Sequence, residues 1–396
     1  MKVGVFLDEY IPEDGGAYNL QGEVLQALFA VAAESKHQFV IISPRDKKLL
    51  AQIQKSNLEW LTYYSPGLIE EAVAFFVRTW PNLRARLRWR SSFERRIREA
   101  GIEYLWFLGQ RPRDVDLPYM TVVLDLQHRL QPWFPEVNQF GQWELRERGF
   151  ARTLQRASAV IVGTQVGKEE VSRFYQVPEE RIHILPHPTP AYALNAETKI
   201  KSDALIRFGL QPGYLLYPAQ FWAHKNHANL LLALKQLREE GTRFQLVLAG
   251  SDFGNLNYVR QQIEALGLQD QVSILGFVTQ SDLVALYQNA LALTYLSLFG
   301  PENLPPLEAF TLGCPVIAAR VSGSEEQLGD AALLVDPASP IEIAAAIREL
   351  RQDAKLRQRL VARGRNRAAS WTVEDFVRGA FKILDTFEPI RRTWEI

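Results

Sequence analysis

Cysteine is almost absent: Cys314 is the one thiol in 396 residues. An intrachain disulfide framework and a cysteine-built metal cluster are thereby excluded, and a reducing cytoplasm is the compartment that fits. Net charge is absent too, since 45 Lys and Arg balance 45 Asp and Glu. A dedicated nucleic-acid binder carries a basic excess, so no nucleic-acid partner is expected. Long apolar runs are also lacking. The first, residues 3–7, stops at Asp8 and Glu9, too short for a secretion signal, and no later run reaches membrane-spanning length. No short repeat or low-complexity tract interrupts the chain.

What is present is an alternation. At 47% hydrophobic and 23% charged residues the chain is of ordinary globular composition, and its length favours two domains over one. Short apolar strands are expected at residues 2–7, 38–43, 104–108, 119–124, 159–163 and 182–185, with a helix at 18–35. Pro186, Pro188 and Pro190 then form a stiff break, where a domain boundary is expected. Beyond it strands are expected at 214–217, 244–249, 272–275, 291–295, 315–319 and 332–335. Helices at 226–240, 258–266, 281–290 and 304–312 fall between them, and residues 341–386 read as helical throughout. Such βα alternation predicts doubly wound parallel sheets that bind ligands at the carboxyl ends of their strands.

Several motifs lie at those ends. In order they are Ala223-His224-Lys225-Asn226, Leu248-Ala249-Gly250, and Leu275-Gly276-Phe277-Val278. Leu304-Pro305-Pro306-Leu307-Glu308, Gly313-Cys314-Pro315 and Gly329-Asp330-Ala331 follow. Their order and spacing over about 170 residues resemble the retaining glycosyltransferase family 4. The first half resembles it more loosely, through Gly15-Gly16 and Asp125-Leu126-Gln127-His128. The resemblance implies an α/β GT-B fold, two Rossmann-like doubly wound domains facing across a cleft. It implies an acceptor-binding domain at 1–195, a nucleotide-sugar-binding domain at 196–375, and a C-terminal helix at 376–396 that packs back on the first. It also implies retaining transfer from a nucleotide-diphosphate sugar to a hydroxyl of a sugar, glycolipid or lipid-linked acceptor, with no cofactor and no metal.

Lys225 stands after a strand and at the mouth of a helix, where an ammonium adds to the positive end of the helix dipole. Read alone it is a surface lysine; the resemblance makes it the cation on the leaving diphosphate. Relatives carry Arg five positions earlier, where this chain has Gln220, a hydrogen-bond donor without charge. Pro305 and Pro306 fit the first turn of a helix and remove two donors, which leaves the amides of Asn303 and Leu304 for phosphate. Glu308, one turn in, either complements the dipole or, by the resemblance, accepts the ribose hydroxyls. The family's first Glu is replaced by Gly300, so Glu302 or Asn303 is expected to contact the donor sugar. Gly15 and Gly16 follow the first strand, where backbone can approach a diphosphate closely; an ordinary turn is the alternative. Gly250 closes a strand at the donor side. Phe277 and Val278 flank the base, or else pack in the core. Asp125 and His128 are expected at the end of a strand facing the cleft, with His128 contacting sugar or acceptor, or merely packing.

A basic aromatic stretch runs from Arg78 through Trp80, Arg84, Arg86, Arg88, Trp89, Arg90, Phe93, Arg95 and Arg96 to Arg98. It suggests an anionic membrane surface, at about 1 kcal/mol per basic residue, with a solvated helix as the alternative. Two rivals to a transferase stay open: a nucleotide-sugar epimerase, and a non-catalytic binding subunit favoured by Leu124, Gln220 and Gly300.

Overall fold

The structure, a computed structural model, describes residues 1–7, 16–44, 56, 58–63, 67, 70, 72–73, 76, 80, 89–110, 112–196 and 203–395. Two parallel sheets form. The first contains β1 (Lys2–Phe6), β2 (Gln38–Ser43), β3 (Glu59–Thr62), β4 (Tyr104–Phe107), β5 (Tyr119–Val122), β6 (Ala159–Val162) and β7 (Ile182–Ile184). Their order is β3-β2-β1-β4-β5-β6-β7. The second contains β8 (Leu215–Pro218), β9 (Leu246–Ala249), β10 (Val272–Ile274), β11 (Ala292–Tyr295), β12 (Val316–Ala319) and β13 (Ala332–Val335), in the order β10-β9-β8-β11-β12-β13.

Helices cover both faces, so the central strands are apolar without alternation. Val3 and Val5 of β1, and Val316 and Ile317 of β12, are wholly buried. Strand order reverses between β1 and β4 and again between β8 and β11, and ligands sit at such switch points. β3, absent from the sequence expectation, is an edge strand of Glu-Trp-Leu-Thr with no fully buried residue.

The C-terminal segment is three helices rather than one. Pro340–Gln352 ends at Asp353, whose carboxylate caps the next helix, Ala354–Ala369, by accepting from the Leu356 amide. Thr372 and Asp375 then form a reciprocal capping box that starts Val373–Arg391. Phe376, Val377, Ala380, Phe381 and Leu384 recur at helical spacing and enter the core of the first sheet, where Phe381 stacks on Phe39 at 5.2 Å. The chain therefore leaves the second sheet and finishes on the first. Among the described residues no helix is long and apolar enough to cross a membrane.

A second departure bears on the site. The strand expected over 119–124 stops at Val122, so Asp125 lies in a loop and His128 on the short helix Gln127–Leu130.

Candidate functional site

A cleft of about 470 Å³ opens where the carboxyl ends of the two sheets face each other. Ten of the residues singled out from sequence line it: Asp125, Gln220, Lys225, Gly250, Phe277, Val278, Glu302, Asn303, Leu304 and Glu308. Gly16 opens the helix Gly16–Val31, which reaches the cleft through Leu20. Gly15 lies outside the described residues.

Lys225 ends a 3-10 turn, Ala223–Lys225, after β8. Asn226 then adopts φ 59°, and its Nδ2 donates to the carbonyls of Leu296 (3.0 Å) and Pro337 (2.7 Å). Asn is among the few residues other than glycine that tolerate such a left-handed conformation, and these two bonds hold it. The Tyr217 hydroxyl donates to the Lys225 carbonyl at 2.5 Å, and Lys225 Nζ donates to the Tyr295 hydroxyl at 2.9 Å. Tyr295, at the end of β11, carried no signal in the sequence beyond that of a strand former. Gly250 has φ 153°, and a Cβ there would stand 2.2 Å from the Ala219 carbonyl oxygen. Only glycine lets β9 pass β8 so closely.

The helix Leu304–Leu312 begins as expected, with prolines in its first turn. The amide of Asn303, however, donates to Gln327 Oε1 at 2.9 Å. Of the two amides expected to await phosphate, that leaves Leu304. Glu308 is 6% exposed, and burial pushes its carboxyl up; hydroxyl donation from Tyr287 (2.8 Å) and from Tyr192 offsets this in part. Phe277 is 62% exposed on the rim, which removes core packing as its role.

Glu302 points away from the second domain. Its Oε1 accepts from the His187 amide at 2.8 Å, and its Oε2 lies 3.7 Å from His187 Nε2. A Cβ on Gly163 would stand 1.1 Å from that Oε2, so the carboxylate fills the space a side chain at 163 would take. Burial raises the Glu302 carboxyl, and His187 lowers it by less. Further bridges cross between the sheets. Glu326 Oε1 accepts from the Gln165 amide at the start of the helix Gln165–Tyr175 (2.7 Å), Gln131 Nε2 donates to the Leu298 carbonyl (2.9 Å), and His224 Nδ1 bonds Glu136. The Glu302 side chain thus joins domains, and Asn303 is left as the polar side chain of that loop within the second domain. Gly300 makes room for it: φ is 131°, and a Cβ would meet Asn303 Oδ1 at 2.7 Å.

On the opposite wall, Asp125 accepts from the Gln127 amide (2.9 Å) and from Arg146 (2.5 Å). Burial alone would raise its carboxyl, but Arg146, the Gln127 amide and His224 together outweigh burial and hold it below its ordinary range. Asp125 is therefore an anchored carboxylate suited to accept a hydroxyl's hydrogen bond. His128 does not reach the cleft. It is fully buried, with Nε2 2.9 Å from the Tyr175 hydroxyl and 3.3 Å from Glu147, and burial followed by the Arg146 charge pushes it down to about 4. The contact expected of it is replaced by packing, because the strand ends before Asp125 and the helix turns His128 inward.

Comparison with known proteins agrees with this fold. Residues 202–367 match the family described as glycosyl transferases group 1. The chain is 28% identical over 260 residues to O-antigen chain mannosyltransferase B of Escherichia coli, covering 63% of this chain and 67% of that one. Alpha-D-kanosaminyltransferase of Streptomyces kanamyceticus is 27% identical over 52% of this chain, which spans 54% of that relative's length. Among solved structures, Anabaena HepE in complex with UDP and glucose superposes with a TM-score of 0.69 at 18% identity, over 98% of this chain and 100% of that one. The fold is GT-B.

Proposed function

We propose, from the match of residues 202–367 to the glycosyl transferases group 1 family, that the protein is a retaining, metal-independent glycosyltransferase. It takes a nucleotide-diphosphate sugar as donor. Its acceptor is a hydroxyl of a growing polysaccharide, O-antigen or glycolipid, on the cytoplasmic side of a membrane. The observation that carries the reading is the grouping of Lys225, the Leu304 amide and Glu308 on one wall of the cleft, at the β8/β11 switch point.

Each group has a task in this reading. Lys225 and the amide at the start of Leu304–Leu312 meet the charge that develops on the diphosphate as it leaves. Glu308 accepts the ribose hydroxyls, Phe277 and Val278 border the base, and Asn303 faces the sugar. Asp125 orients a hydroxyl from across the cleft. The bond from the anomeric carbon to the phosphate oxygen breaks while the acceptor oxygen bonds to the same face of that carbon. The acceptor's proton passes to the departing phosphate oxygen. Closure through Glu302, Glu326 and Glu136 keeps water from competing. The domain limits that accompany this reading are 1–195, 196–375 and 376–396.

The test is incubation with nucleotide sugars and lipid-linked acceptors, following released nucleoside diphosphate and the anomer of the product by NMR. Product with the donor's anomeric configuration, formed at an unchanged rate in EDTA, is expected. Inverted product, or activity abolished by EDTA and restored by Mg²⁺, would contradict the mechanism. An isomerised donor without acceptor would indicate an epimerase.

Membrane contact through the basic stretch is part of the proposal. Arg78, Arg84, Arg86 and Arg88 lie outside the described residues. Trp80 is 59% exposed, whereas Arg98 and Arg90 are engaged by the buried Glu94, at 3.1 and 3.7 Å. Binding to anionic but not neutral liposomes, lost at high salt, is expected; equal binding to both would sink it.

A further inference from the structure

Three hydrogen bonds run in one direction across the floor of the cleft. Lys225 Nζ donates to the Tyr295 hydroxyl (2.9 Å), Tyr295 donates to Asn303 Oδ1 (3.0 Å), and Asn303 Nδ2 donates to the Gly300 carbonyl (2.9 Å). The chain begins at the cation assigned to the diphosphate and ends in the loop assigned to the sugar. Its middle member is 5% exposed and lines the cleft.

The geometry points to Tyr295 as a positioning residue that aims the Lys225 ammonium and ties the Gly300–Asn303 loop to it, so that the diphosphate and sugar subsites form one unit. This inference rests on the transferase reading above. Four features support it. Tyr295 is rigid, set at the end of a central strand with its ring edge-on to Tyr217 at 5.5 Å. Tyr217 in turn holds the Lys225 backbone, so two tyrosines grip one lysine at both ends. An ammonium has three donors; one is spent on Tyr295, which fixes the directions of the other two. Finally, Gly300 allows no side chain without displacing the Asn303 amide, so the last link has one arrangement. Hydrogen bonds aligned donor to acceptor polarise one another, and a diphosphate drawing on the ammonium is therefore felt at Asn303.

Tyr295→Phe removes the hydroxyl and keeps the ring, and Asn303→Ala removes the far end. We expect Tyr295→Phe to lower kcat on the order of tenfold, with the KM for donor changed far less and the melting temperature kept. The double variant is expected to be no worse than the poorer single one, as members of one network behave. A second readout needs no turnover: acetylation of lysines by a water-soluble N-hydroxysuccinimide ester, measured at Lys225 by peptide mass spectrometry. Lys225 should react severalfold faster in Tyr295→Phe while other lysines keep their rates. Unchanged Lys225 labelling, or losses in the two single variants that simply multiply, would overturn the relay. A wild-type protein inert towards every nucleotide sugar would instead count against the transferase reading, with the labelling result still deciding for or against the relay.

Discussion

The two sheets share a strand order through their first six members and differ in what their loops hold. In the second domain the loops after β8, β9, β10 and β11 carry Lys225, Gly250, Phe277 and Asn303 to the cleft. In the first, Asp125 is anchored by Arg146, and Gly163, Gln165 and His187 receive groups from across the cleft. In the proposed reading one scaffold is used once to hold the donor and once to close over it. The difference shows why a resemblance concentrated in residues 202–367 speaks for donor chemistry and is quieter about the acceptor.

Lys225→Ala should be the sharpest break. The second domain loses its cation at the leaving group, and transfer is expected to fall by a factor of about 100 to 1000, as when one oxyanion donor is removed. The fold should persist, because Tyr217 grips the backbone carbonyl of that residue. Glu308→Ala is expected next, weakening nucleotide binding about tenfold or more through loss of a charged hydrogen-bond partner, readable by calorimetry.

Gly163→Ala tests the receiving domain. The new methyl expels the Glu302 carboxylate, so scattering should show a more open particle and turnover should drop several-fold. Adding Glu302→Ala makes room again and should recover part of the loss. Full activity in Gly163→Ala alone would show that the latch is idle.

A last effect, on stability rather than turnover, concerns His227, sandwiched between Tyr217 and Phe221 at 4.9 Å each with no hydrogen bond to either nitrogen. Burial, then the Lys225 charge, pushes it from 6.5 down to about 3. A depressed histidine means the unfolded chain binds the extra proton first. Its contribution is complete above pH 6.5 and is lost as pH falls towards 3, at up to about 1.4 kcal/mol per unit. Urea unfolding at pH 7 and pH 5 should show that loss in the wild type and a smaller one in His227→Phe.

Legibility in the sequence follows the same division. The helix Leu304–Leu312 and β13 are found where expected, because prolines in a first turn, Gly313 at a C-cap and unbroken apolar strands act locally. β3 is not legible in the sequence because Glu59 and Thr62 flank only two apolar residues at a sheet edge. The sequence leaves His128 between a cleft contact and packing, because Val123 and Leu124 prolong the apolar pattern of β5 beyond its true end at Val122. The sequence leaves Glu302 and Asn303 as alternatives at the sugar, because the seat of Glu302 depends on Gly163 and His187, more than 100 positions away. Tyr295 carries no functional signal in the sequence, because a tyrosine ending a strand announces nothing until the fold sets Lys225 beside it.

The most direct test of the account is a thermal-shift screen against UDP, GDP, dTDP, ADP and their common sugars, run on the wild type, Lys225→Ala and Glu308→Ala. The account predicts selective stabilisation by one nucleotide, worth about 2.7 kcal/mol at a hundredfold excess over Kd, and its reduction in both variants, to about 1.4 kcal/mol or less in Glu308→Ala. No stabilisation of the wild type by any of them at millimolar concentration would contradict it and favour a binding subunit without transferase activity.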